Sequence, residues 1–129
     1  MLRISKLTDY ALLILVEIQE NKVLSASYLS EITKIPLATT NKILKLLTKD
    51  NICKSQSGKT GGFSLIIPKN QLSLLKVVHA IEGKPTSFVN CANNNHCELK
   101  NHCKISDKMN LIDQEINQLL SKKFISDLI

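Results

Sequence analysis

Residues 36–51, P-L-A-T-T-N-K-I-L-K-L-L-T-K-D-N, divide into two sets of side chains. Leu37, Ile43, Leu44, Leu46 and Leu47 form an apolar stripe predicted to face a core, while Ala38, Thr39, Thr40, Asn41, Lys42 and Lys45 are small, hydrogen-bonding or cationic. Pro36 stands where the helix would begin, a position at which its missing N–H is no loss. Just ahead, S-Y-L-S-E-I-T-K at 27–34 predicts a shorter helix, opened by Ser25 or Ser27, with Leu29 and Ile32 turned inward. Two short helices joined by a tight turn, the second carrying this polar set near its start, describe a helix-turn-helix. Asn can pair with adenine, Lys with guanine or phosphate, and Thr with a base or the thymine methyl. A solvated surface helix would have the same polar face, so this segment alone leaves both readings open.

The residues that follow favour the first. Ile52 to Gln56 read as a strand, S-G-K-T-G-G at 57–62 as a glycine-rich turn, and Phe63 to Ile67 as a returning strand closed by Pro68. A basic-tipped hairpin directly after a helix-turn-helix is a winged helix. Lys54, Ser57 and Lys59 then become candidate contacts to the DNA backbone, and Cys53, in apolar surroundings, a core residue.

Upstream, Thr8 is the expected cap of a first helix running to about Asn21. Leu7 and Leu12 are spaced as a staple, and the run from Ala11 to Val16 is apolar enough for full burial. Downstream, Ser73 caps L-L-K-V-V-H-A-I-E, which stops at Gly83; His79 within it receives no role. A long helix from about Ile105 to Phe124 carries Ile105, Met109, Ile112, Ile116 and Leu119 at alternating steps of four and three. A seam of this kind is best covered by a second subunit, which predicts a homodimer reading two half-sites about one helical turn apart.

Between these helices lies C-A-N-N-N-H-C-E-L-K-N-H-C, residues 91–103, too polar to fold by burying itself. Its three thiols point to a soft metal centre, with zinc, copper(I) and iron–sulfur all open at this level; a loop of plain thiols is the alternative. The chain has 129 residues, a net charge of +6 and 4% aromatic residues. That suits one domain with a polyanionic partner, and argues against single-strand binding by base stacking. No secretory signal or membrane-length apolar run is evident, so a cytoplasmic location with reduced thiols is expected. No C-x-x-C motif, nucleotide loop or nucleophile elbow suggests an enzyme or a small-molecule substrate.

The opening M-L-R-I-S-K-L-T-D-Y-A, the segment I-P-L-A-T-T-N-K-I-L-K-L-L, the wing S-G-K-T-G-G-F-S-L, the helix end H-A-I-E-G and the C-x5-C-x5-C spacing together resemble the Rrf family of bacterial winged-helix regulators, the IscR, NsrR and RirA group. The resemblance implies a mostly α fold: a winged helix-turn-helix domain with a small β-hairpin wing (1–84), a cysteine-bearing segment (85–104), and a long C-terminal dimerisation helix with its tail (105–129). It further implies a sequence-specific binder of double-stranded operator DNA. An iron–sulfur cluster, [2Fe-2S] or [4Fe-4S], would be held by Cys91, Cys97 and Cys103, and aerobic purification can leave it absent. The opening is most similar to regulators of SUF-type cluster assembly. The IscR pattern has a histidine ligand where this chain has Ser106. The NsrR pattern uses an aspartate near the start of the first helix, supplied by the partner subunit, and Asp9 matches it. A first-turn acid favouring the helix dipole would look the same. His96 and His102, each beside a cysteine, are reserve ligands, and a zinc-stabilised Cys3His or cluster-free repressor is the alternative.

Overall fold

The computed structural model describes residues 4–83, 87–89, 99 and 102–129. Helix α1, Lys6–Glu17, is capped by Ser5, whose hydroxyl accepts the Thr8 amide at 3.2 Å. Thr8, expected as the cap, instead lies fully buried in the first turn and donates its hydroxyl to Glu82 at 3.1 Å. The helix stops well before Asn21 because Ile18 turns extended to reach the core, where it is fully buried. Its apolar run is not buried all round: Ile14 and Leu15 face inward, but Leu13 is 53% exposed.

Helix α2, Ala26–Thr33, is capped by Ser25 and closed by Lys34 in the left-handed region (φ 64°). This reversal, braced by the Ser30 hydroxyl donating to the Ile35 carbonyl at 2.6 Å, turns the chain into α3, Leu37–Lys49. Leu29 is buried as expected, whereas Ile32 is exposed. On α3 the fully buried positions are Thr40, Ile43, Leu44 and Leu47, at i, i+3, i+4 and i+7. Leu46 is only half-buried and Leu37 is exposed, which narrows the expected stripe.

The wing is an antiparallel pair, β1 (Cys53–Gln56) with β2 (Gly62–Leu65), in the register Cys53 opposite Leu65 through Gln56 opposite Gly62. Phe63 also exchanges both backbone hydrogen bonds with Leu24, at 2.8 and 2.9 Å, so the hairpin is tied to the residues that lead into α2. That close approach requires glycine: a Cβ at Gly62 would lie 2.4 Å from the Leu24 carbonyl oxygen.

Helix α4, Leu74–Glu82, is capped by Ser73 and packs against α1 and α3. Helix α5, Ser106–Ser121, ends three residues short of Phe124. Its chain then returns: Leu74 donates its amide to the Lys123 carbonyl at 2.8 Å, and Ile125 donates to Leu72 at 2.9 Å. The C-terminal turn Ile125–Leu128 thereby delivers Ile125, fully buried, to the same core as Ile14, Leu29, Leu44 and Val77. Residues expected to form a tail are thus part of the central packing. Burial of a side chain of this size contributes roughly 1.5–3 kcal/mol.

Helix α5 has inverted polarity. Asp113 is buried against the body of the chain, while Ile112 and Leu119 are 41% and 56% exposed. Among the described residues no helix is long and apolar enough to cross a membrane.

Candidate nucleic-acid interface and cysteine segment

The outward side of α3 is set by its buried stripe. With Thr40, Ile43, Leu44 and Leu47 inside, Lys42 and Lys45 are exposed and Thr39 and Asn41 are half-buried. Thr40 is withdrawn from the predicted contact set. It has no exposed surface, and its hydroxyl donates to the Pro36 carbonyl at 3.1 Å and to Ile35 at 3.4 Å, pinning the first turn of α3 to the turn before it. The spacing held the signal, since Thr40 precedes Ile43 by three and Leu44 by four. Lys49, exposed in the last turn, is a cation that sequence reasoning missed.

The α3 helix passes into the wing through Asn51, whose positive φ of 59° reverses the chain so that Ile52 donates to the Leu47 carbonyl at 2.9 Å. Lys54, Ser57 and Lys59 are all exposed on the hairpin. The Leu24–Phe63 pairing holds the wing root against the start of the helix-turn-helix, so these cations and those of α3 belong to one framework. Such a distribution can track phosphates with the wing while presenting polar side chains to base edges from the helix.

Cys53 lies in the core, and burial pushes its thiol up to about 12, so it remains protonated and is no ligand. Cys91 and Cys97 lie outside the described residues. Cys103 is a free, half-buried thiol three residues before α5. The Ser106 hydroxyl lies 3.4 Å from the Cys103 carbonyl, to which it donates. Among the described residues, helix α5 has no side-chain cap at its start. Among the described residues no three His, Cys, Asp or Glu side chains converge on a metal position. Three thiols remain a donor set suited to iron–sulfur or zinc. Asp9 is exposed in the first turn of α1 and lines a groove of about 380 Å³ with Leu12, Leu13, Val16 and Leu128; His102 is exposed.

A further anchor had gone unread in the sequence. The Asp113 carboxylate accepts the Phe88 amide at 2.6 Å and the Ser87 hydroxyl at 3.3 Å, and Asn117 donates to its other oxygen at 3.3 Å. Ser106, Asn110, Asp113 and Asn117 recur at helical spacing, a polar stripe that could have been read from periodicity.

Known proteins share this architecture. The B. subtilis cysteine regulator CymR superposes with a TM-score of 0.77 at 20% identity, covering 99% of this chain and 96% of CymR. T. potens IscR gives 0.69 at 17% identity, covering 98% and 85%. A protein of Lactococcus lactis subsp. lactis (strain IL1403) described as an HTH-type transcriptional regulator, YffB, is 37% identical over 79 residues, 61% of this chain and 51% of YffB, so the match spans about half of that relative's length. The profile of a family of transcriptional regulators, not enzymes, matches residues 4–129. The chain belongs to the Rrf2 family of iron-dependent transcriptional regulators.

Proposed function

We propose that the protein acts as a homodimeric, sequence-specific DNA-binding regulator whose operator affinity is set by an iron–sulfur cluster on Cys91, Cys97 and Cys103, and that its targets are genes of SUF-type cluster assembly. One observation carries the DNA reading: α3 and the wing, joined through Asn51, hold Lys42, Lys45, Lys54 and Lys59 in the open around the half-buried Thr39 and Asn41. The dimer reading is supported by α5, whose apolar stripe faces outward. The cofactor reading is supported by the donor set and by the thiol of Cys103 at the uncapped start of α5. The partner subunit's Asp9 is the candidate fourth ligand.

Bound there, a cluster supplies a centre sensitive to oxidation, nitric oxide and iron supply. The chain's own residues would carry its influence. Cys103 leads directly into α5, and Asp113 ties residues 87 and 88 to the same helix. Helix α5 packs on α4, and its far end is pinned at Leu72 and Leu74, so a shift in α5 reaches the DNA-reading body. Gel-shift titrations of reconstituted and apo protein on SUF promoter DNA test this. A difference of roughly fivefold or more is expected; equal affinities would sink the switch and leave DNA binding intact.

The fold likeness to CymR, described as a cysteine regulator, favours a second reading in which the protein is cluster-free or zinc-stabilised and responds to redox or nitric oxide stress. Visible absorption and metal analysis of anaerobically purified protein separate the two: brown protein carrying iron and sulfide supports the first, colourless protein the second.

A further inference from the structure

We propose that Leu37 and Ala38, the first two residues of α3, contact thymine C5-methyl groups in the major groove and so set part of the operator preference; this rests on α3 being the base-reading helix. Leu37 is three residues before Thr40 and seven before Leu44, both fully buried, yet it is 45% exposed. Between the buried Ile35 and Thr40, the start of α3 thus turns an apolar side chain outward. Ala38 is also exposed and shares its face with Lys42 and Lys45, four and seven residues on. No acidic residue occupies the first turn, and Pro36 offers no side-chain cap, so no carboxylate of this turn repels phosphate.

An apolar tip rimmed by cations fits a polyanion that itself carries apolar groups. The thymine methyl is the one such group that the four standard base pairs present in the major groove.

The test uses the full-length protein and duplexes selected by it from a random-sequence library. Thymines of the selected site are replaced singly by deoxyuridine, which removes only the methyl. At one or two positions in each half-site, affinity should fall about three- to fivefold. Leu37→Ser should abolish that difference while keeping wild-type binding to unrelated duplex, which reports an intact fold; Ala38→Gly should weaken the effect at a neighbouring thymine. Indifference of the wild type to every deoxyuridine would overturn this inference alone, as would full methyl discrimination in Leu37→Ser. Failure of the selection to enrich any sequence would overturn it together with the DNA reading.

Discussion

Asp113 reaches from the middle of α5 to accept the Phe88 amide at 2.6 Å, fixing the residues just ahead of Cys91 to the helix that begins just after Cys103. Phe88 and Val89 are both buried beside it. One carboxylate thus refers both flanks of the cysteine segment to a single helix. Asp113→Ala leaves the Phe88 amide buried without a partner, and a loss of about 1–3 kcal/mol is expected in urea unfolding. If the anchor also couples the segment to α5, the variant should bind operator with the same affinity with and without reconstitution, a readout that stability alone does not move.

The burial of Thr40 separates two effects that the sequence had merged. Thr40→Val keeps the volume and removes only the hydroxyl bonds to Ile35 and Pro36, so operator affinity should change by less than about threefold, with a stability loss of about 1 kcal/mol. Lys45→Ala should instead weaken binding to all duplexes alike and lower the slope of log K against log salt by roughly one. Fluorescence anisotropy at several salt concentrations distinguishes them.

What the chain disclosed in advance followed local rules. The helix cap at Ser73, the choice of Ser25 or Ser27 for α2, which Ser25 fills, the glycine turn of the wing and the core place of Cys53 were legible because each depends on a few adjacent residues. The errors arose where long-range geometry decides. Leu13 and Leu37 read as core because they are apolar, but one faces outward on α1 and the other is exposed at the first position of α3. Ser5 took the cap from Thr8 because Thr8 is needed by Glu82, 74 residues away. The Asp113 stripe was periodic but polar, and polar stripes are ordinarily solvent faces; here segment 87–89 covers it.

Cys53 gives alkaline stability a defined direction. Its thiol is raised from 9.0 to about 12 by burial, so the folded state retains a proton that the unfolded chain releases. The contribution is fully present below pH 9 and is lost as pH rises toward 12, at no more than about 1.4 kcal/mol per pH unit. In paired urea titrations the wild type should exceed Cys53→Ala at pH 8, the margin reflecting lost core packing, and that margin should narrow by pH 10. A constant margin would contradict a buried, protonated thiol.

The polarity of α5 makes the sharpest structural demand. Ile112 and Leu119 lie on the same side of the helix, one pair of turns apart, and both are exposed, as is Ile105 before the helix. Within a single chain these two side chains stay in water, while the buried Asp113 on the other side of the helix accepts the Phe88 amide. Two copies pairing along the stripe would bury these side chains at roughly 1.5–3 kcal/mol each when coverage is complete. Placing a charge at the centre of that seam should separate the subunits without disturbing the core around Leu44 and Ile125. Ile112→Lys is therefore expected to sediment as a monomer, to keep wild-type helical circular dichroism, and to bind a two-half-site operator at least about tenfold more weakly, since the avidity of two linked heads is lost. Sedimentation of the variant as a dimer would assign the subunit contact to another surface.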